Sequence, residues 1–347
     1  MSLFKKHSEL AIDLGTTNSL VFIKEKGIVL REPTVVCYNT ERDVVETVGQ
    51  DAQRMIGRTP GNMVAVRPLQ DGVVAEYDMT VEMLRYLVSK TVPKTAFTTP
   101  RAIISHPSGV TQVELTALRR AAEEAVGDDV LLMETALSAA MGAGLPVFDP
   151  IGTMVVDLGG GTTEIAVLSS GGIVIARSLR VGGEELDEAI ISYVRRHLKL
   201  LIGERTAEEI KINLGVAKTK KTLDARGYLD TEYEKSMQIK GRDLDTGLPK
   251  DLKITQGDVA EALEYPISRI VEAILTILEK TPPELAADIN EKGITLTGGG
   301  AELHHLAQRI SEETEMQVYK AENALDCVAI GSGIALNRFD ELAKSLR

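Results

Sequence analysis

Two cysteines, Cys37 and Cys327, are all that the 347-residue chain contains. They lie far apart among apolar neighbours, which excludes a disulfide-stapled fold or a thiolate metal site and predicts two buried thiols in a reducing cytosol. Histidine is scarce as well: the five present show no HExxH or similar spacing. Adjacent His304 and His305 would point about 100° apart on a helix and read as surface residues. No run reaches ~18 uninterrupted apolar residues and the N-terminus has no apolar signal core, so neither a membrane span nor a leader is expected. A basic surplus is missing too: 39 Lys and Arg against 51 Asp and Glu give a net charge of −12. That argues against a broad nucleic-acid face, which needs cations to neutralise phosphates. The expectation is a cytoplasmic protein.

What is present is an ordinary globular composition, 44% hydrophobic and 26% charged, over a length that suits two domains better than one core. Glycine is concentrated at strand ends. Residues 154–163 read MVVDLGGGTT: a buried strand runs into Asp157, then Gly159, Gly160, Gly161, Thr162 and Thr163. Glycines let the backbone turn sharply and offer its N–H groups to an anion, the threonines add donors, and Asp157 is placed to hold a hydrated cation or a water. Alone, such a run fits a tight hairpin equally well. A second copy weights it toward phosphate: residues 10–18, LAIDLGTTN, carry Asp13, Gly15, Thr16, Thr17 and Asn18 in the same order. The likeness continues downstream, SLVFIKEKGIVL paralleling EIAVLSSGGIVI, each strand, glycine turn, strand. A long internal repeat of this kind predicts two related half-domains clamping one nucleotide.

Along the chain, strands alternate with helices, the mark of an α/β layer architecture. Helices are predicted over residues 79–90, from the HPSGVTQVE segment to about Val126 with Ser108 as N-cap, and over 184–201, 206–214, 257–280 and 328–336. A hairpin is predicted within 239–255. A third glycine run, Gly298, Gly299 and Gly300, follows a strand and opens into a helix at Ala301, suiting nucleoside or phosphate contact. Lys218, Lys220 and Lys221 read as a solvated surface or a partner contact. The start, MSLFKK, with Leu3 and Phe4 beside two lysines, is either a short membrane-touching anchor or a frayed end. An isolated Phe97, in the loop TVPKTAFTTPR, could form a second patch on the same face.

Three glycine-rich strand ends over a duplicated α/β frame resemble the actin, chaperone and sugar kinase ATPase superfamily. More particularly, IDLGTTNSLVFIKEKGIVLREP, PSGVTQVE, VVDLGGGTTEIAV, IGERTAEEIK, GRDLDTGLP, LEKTPPELAADI, ITLTGGGAEL and DCVAIGSG resemble the MreB family, the bacterial actins of rod-shaped cells, over essentially the whole chain. The resemblance implies duplicated actin-like (ribonuclease H-like) domains flanking a nucleotide cleft, each with a small inserted subdomain. The first large part would be 1–32, 68–148 and 331–347, with insert 33–67; the second 149–182 and 253–330, with insert 183–252. It implies ATP and Mg²⁺, homopolymeric filaments on the inner face of the cytoplasmic membrane, and guidance of cell wall elongation proteins.

Carried over by position, Asp13, Gly15, Thr16, Thr17 and Asn18 would hold phosphates from one side and Gly159, Gly160, Gly161, Thr162 and Thr163 from the other. Asp13 and Asp157 would hold Mg²⁺ through water. Glu208, Lys211, Gly298, Gly299 and Gly300 would line the adenosine, and Leu3, Phe4, Ala96 and Phe97 would touch membrane. The residues alone fit ATP or GTP; the preference for ATP comes with the resemblance.

The resemblance breaks at Glu134-Thr135-Ala136, where relatives read glutamate, glutamate, proline. The second glutamate is the family's proposed water-positioning residue, so Thr135 predicts slow hydrolysis, a positioned base contributing ~10²–10⁴-fold. Glu134 could replace it only by a backbone shift, since neighbours on a strand face opposite ways; Glu164 is a further candidate. Catalytic candidates are therefore Asp157, Thr162, Thr135 and Glu134. A non-hydrolysing scaffold and a small-molecule kinase of the same superfold are the alternatives.

Overall fold

The computed structural model describes residues 8–92, 100–220, 223–224, 230 and 235–346. The expected membrane residues Leu3, Phe4, Ala96 and Phe97 and the lysine Lys221 lie outside them.

The first half opens with three antiparallel strands, β1 (Ser8–Leu14), β2 (Asn18–Ile23) and β3 (Gly27–Pro33). A small sheet follows, made of β4 (Val36–Asn39), β5 (Val44–Val48) and β6 (Met63–Val66), with helix α1 (Gln50–Met55) packed on it. A short ladder, β7 (Leu69–Gln70) with β8 (Val73–Val74), leads to α2 (Tyr77–Thr91), β9 (Pro100–His106), α3 (Gln112–Val126), β10 (Val130–Glu134) and α4 (Thr135–Gly142). The principal sheet has the order β10-β9-β1-β2-β3, with β9 and β10 parallel to β1.

The second half repeats the plan. β11 (Thr153–Leu158), β12 (Thr163–Ser169) and β13 (Gly172–Leu179) form the meander, and α5 (Gly183–His197) follows. Its insert holds β14 (Leu200–Leu201), α6 (Glu204–Leu214), β15 (Ser236–Asp243) and β16 (Pro249–Thr255). Then come α7 (Gln256–Lys280), α8 (Pro283–Lys292), β17 (Ile294–Thr297), α9 (Leu306–Thr314) and β18 (Val318–Lys320). The sheet order is β13-β12-β11-β17-β18, with β17 and β18 parallel to β11: the first sheet again, strand for strand. The chain closes with α10 (Cys327–Ala335) and α11 (Phe339–Leu346).

Alternation places the core. Leu10, Ile12 and Leu14 of β1 face α2 and α3, while Ala11 faces the other way, into a core shared with α4, α10 and the second sheet's Val155, Ala166 and Leu168. The far face of the second sheet packs on α5, α6 and α7. Helices α4 and α10 cross with bare backbone: a Cβ on Gly331 would lie 1.7 Å from the Ser138 carbonyl oxygen, and one on Gly142 1.8 Å from that of Cys327. Both cysteines are buried thiols, as expected.

Several local readings shift. The cap of α3 is Thr111, in a capping box with Glu114, because Ser108 is engaged elsewhere. Helix α5 stops at His197 and the chain turns at Lys199 (φ 52°) into β14, so Leu200 and Leu201 are strand. Ala301 sits in a short 3₁₀ turn, Gly299–Glu302, and α9 begins only at Leu306. His304 and His305 precede that helix, their rings 3.9 Å apart between centroids.

Candidate functional site: a cleft between two glycine–threonine turns

The β1–β2 and β11–β12 turns meet. A Cβ on Gly160 would lie 2.0 Å from Thr17 Oγ1, and one on Gly161 2.6 Å from Thr16 Oγ1. Only glycine allows the two turns to come this close. Each is braced from behind. Thr34 donates its N–H to the Thr17 carbonyl (2.9 Å) and its hydroxyl to the Gly15 carbonyl (2.7 Å). On the other side, Gly183 N–H donates to the Gly159 carbonyl (3.0 Å) and Glu184 N–H to the Gly160 carbonyl (2.8 Å), so the start of α5 props the turn. A side chain at Gly182 would strike the Gly160 carbonyl oxygen at 2.5 Å. Gly182 and Gly183 thus belong to the site, which a bare glycine pair before a helix does not signal in sequence.

Asp13 and Asp157 end equivalent strands, and each is fixed by a hydroxyl from the parallel neighbour. Ser105 of β9 donates to Asp13 Oδ1 at 2.9 Å, and Thr297 of β17 donates to Asp157 Oδ1 at 2.7 Å. Asp157 is 4% exposed. Burial pushes Asp13 up to about 7, with the Asp157 charge adding to the effect, and burial pushes Asp157 up to about 6 against the hydroxyl of Thr297. Two such carboxylates could together hold one divalent cation, which would relieve their repulsion and desolvation. Among the described residues no cluster of three or more His, Cys, Asp or Glu adds to them.

The remaining expected residues divide. Thr16 Oγ1 accepts from Gly72 N–H at 2.9 Å, and the Thr17 hydroxyl donates to Glu184 Oε1 at 3.3 Å across the cleft. Glu184 also faces Arg67 at 3.4 Å, and Arg67 reaches Glu204 at 3.2 Å, so the residue after β6 bridges the starts of α5 and α6. Asn18 is exposed at the start of β2, whereas Thr163 is fully buried and donates its hydroxyl to the Val181 carbonyl at 2.7 Å. Thr163 therefore packs inside the sheet while Thr162 stays half-buried at the turn.

Lys211 Nζ lies 2.8 Å from the Gly183 carbonyl and 2.8 Å from Asp187, whose carboxyl burial raises to about 6 despite that lysine. Glu208, one turn earlier on α6, adds its charge to the same group. Gly298 (φ 77°) and Gly300 press on Leu158, where added Cβ atoms would meet it at 2.4 and 2.7 Å; one on Gly299 would make ordinary contact with Leu325 at 3.8 Å. Gly159, Gly183 and Gly300 line one small cavity together with Leu158 and Leu303. The third glycine run thus shares that cavity with the second turn and the start of α5, while no residue of the β1–β2 turn lines it.

Thr135 begins α4 and Glu134 ends β10, so strand alternation stops at Glu134. Glu134 Oε2 accepts from Ser108 Oγ at 2.5 Å, and the Ser108 N–H donates to Glu164 Oε2 at 3.0 Å. Ser178 donates to Glu164 Oε1 at 2.6 Å. Burial pushes Glu164 up to about 7 against these donors.

A duplicated five-stranded sheet plan, with an aspartate at the end of the first strand of each meander and a glycine–threonine turn beside each, defines an actin-like protein. The MreB/Mbl protein family model matches residues 7–344, and the chain belongs to that family. It is 46% identical over 336 residues to the cell shape-determining protein Mbl of Bacillus subtilis (strain 168), covering 97% of this chain and 98% of that one. It is 45% identical over 339 residues to the cell shape-determining protein MreB of Escherichia coli (strain K12), covering 96% and 94%. A crystal structure of MreB5 of Spiroplasma citri bound to AMPPNP superposes with a TM-score of 0.89 at 34% identity, covering 98% of this chain and 99% of that one.

Proposed function

We propose that this chain is an ATP- and Mg²⁺-dependent actin-like protein that assembles into filaments with copies of itself and helps to set rod cell shape. The observation that carries the reading is the direct approach of Gly160 and Gly161 to Thr17 and Thr16, beside strands that end in the half-buried Asp13 and the buried Asp157. Asp13, Gly15, Thr16, Thr17 and Asn18, with Gly159, Gly160, Gly161 and Thr162, would hold the phosphates. Asp13 and Asp157 would hold the cation through water. Bound there, the cation neutralises phosphate charge. Glu208, Lys211 and Gly298 to Gly300 would line the nucleoside. Support also comes from MreB5, whose structure holds AMPPNP.

The division into two large parts with inserts at 33–67 and 183–252 belongs to this reading. So does the peripheral position on the inner membrane face through Leu3, Phe4, Ala96 and Phe97, with cell wall elongation proteins as partners. No helix of the described residues is long and apolar enough to cross a membrane.

Sedimentation with ATP and Mg²⁺ tests the core of the proposal: pelleting that requires both is expected, and protein that stays in the supernatant across salt and concentration, with or without liposomes, overturns it. Removing residues 1–6 should weaken binding to anionic liposomes; unchanged binding removes the anchor role from Leu3 and Phe4. Thr135 keeps a second reading in view, a scaffold that holds ATP without cleaving it, which phosphate release distinguishes.

A further inference from the structure

Lys211 reaches out from α6, and two acceptors from the first turns of α5 hold its ammonium: the Gly183 carbonyl at 2.8 Å and Asp187 Oδ2 at 2.8 Å. Gly183 lines the small cavity it shares with Gly159 and Gly300, and a Cβ on it would lie 3.3 Å from Lys211 Nζ. The ammonium therefore lies beside a lining residue. Gly183 also donates its N–H to the Gly159 carbonyl, so α6 is tied to the β11–β12 turn through one lysine and one glycine. Docking α6 on α5 does not need the ion pair, because Leu186, Ile190, Ala207 and Ile210 already share one apolar core. The pair is also poorly made for stability. The side chains of Lys211 and Asp187 are 17% and 15% exposed, and Asp187 Oδ1 is buried with no hydrogen-bond partner among the described residues. Charges drawn out of water and left half-satisfied add little to stability. What the arrangement does fix is the direction of the ammonium, which has three donors and spends two of them here.

We propose that Asp187 is the positioning residue for Lys211, holding the ammonium so that its third N–H meets a sugar oxygen of the bound nucleotide. This rests on the reading of Glu208, Lys211 and Gly298 to Gly300 as the nucleoside end of the cleft. A free lysine must give up its rotamer freedom when a ligand arrives; Asp187 and the Gly183 carbonyl remove that freedom beforehand, and binding is tighter by the difference. Only the nucleoside end depends on this. The two glycine–threonine turns are braced by Thr34 and by the N–H groups of Gly183 and Glu184, none of which calls on the Asp187 carboxylate.

The test is a double-mutant cycle on the full chain, read as affinity for AMPPNP with Mg²⁺. Asp187→Asn keeps the shape and removes the charge, and should weaken AMPPNP by about tenfold, the worth of one hydrogen bond to a charged group. Lys211→Met should weaken it at least as much, and adding Asp187→Asn to Lys211→Met should change nothing further, since a residue that acts through the lysine has no effect without it. Affinity for Mg²⁺ tripolyphosphate, which has no sugar, should stay at the wild-type value in all three variants; a merely structural loss would weaken both ligands together. Wild-type AMPPNP affinity in Asp187→Asn overturns the proposal, as does an equal loss for both ligands or a further loss in the double variant. Where tripolyphosphate binds too weakly to measure, the cycle alone decides. If Asp187→Asn does not fold, Asp187→Glu, which keeps the charge and moves the carboxylate by one methylene, takes its place with the same expected and overturning results. Wild-type AMPPNP affinity in Lys211→Met removes the lysine from the nucleoside end and the proposal with it, leaving the phosphate turns standing; a wild type that does not bind AMPPNP takes down the reading of the cleft itself.

Discussion

Thr297 gives its hydroxyl to Asp157 Oδ1 at 2.7 Å from the position directly opposite it in the parallel strand pair. Ser105 does the same for Asp13 in the other half. The duplication has preserved an aspartate together with its orienting hydroxyl. Thr297→Val keeps the shape and removes the donor. A hydrogen bond to a charged group is worth about 1.5–3 kcal/mol, so Mg²⁺-nucleotide affinity should fall by about tenfold or more, with Asp157 pushed further up. Calorimetric titration checks this, and unchanged affinity would remove Thr297 from the site.

Asp13, Asp157 and Glu164 are all raised, to about 7, 6 and 7. Carboxyls whose folded value lies above the unfolded one contribute stability that is complete below the unfolded value and is lost as pH rises through the folded one. The protein in EDTA without nucleotide should therefore melt at progressively lower temperature from pH 5 to pH 8. For Glu164 alone the full effect is on the order of 3 kcal/mol. Scanning calorimetry across that window tests it; a melting temperature that climbs with pH would contradict the burial of these groups.

Thr135→Glu should speed phosphate release by about tenfold or more by putting a carboxylate at the start of α4. Release equal to wild type would show that position 135 does not limit turnover.

Gly331→Ala places a methyl 1.7 Å from the Ser138 carbonyl oxygen, where neither backbone can yield without moving a helix. Overpacking costs about 1–3 kcal/mol, and more where backbone must shift, so the melting temperature should drop by several degrees. An unshifted transition would mean that the α4–α10 crossing can open to accept a methyl group.

The frame was legible because its signals are local: Asp13 and Asp157 each end an apolar run, each is followed by glycine and threonine, and the repeat fixes their equivalence. The supports were not legible, because they come from distant segments. Ser105 and Thr297 occupy matching strand ends in IISHP and ITLTG and could have been found by extending the repeat. Ser108 has the chemistry of a helix cap, and nothing in its neighbourhood signals that it bridges Glu134 and Glu164. Thr163 differs from Thr162 only by which side of the strand its hydroxyl faces, a distinction set by where the turn ends.

The core between the two sheets is held in common: Ala11 and Ile103 from one, Val155 and Ala166 from the other, and α4 and α10 between them. Neither half carries a complete interior. Two copies that began as equivalent units have become inseparable, since cutting the chain between them would expose an apolar sheet face on each fragment. Separately expressed halves should recover their fold only by finding each other.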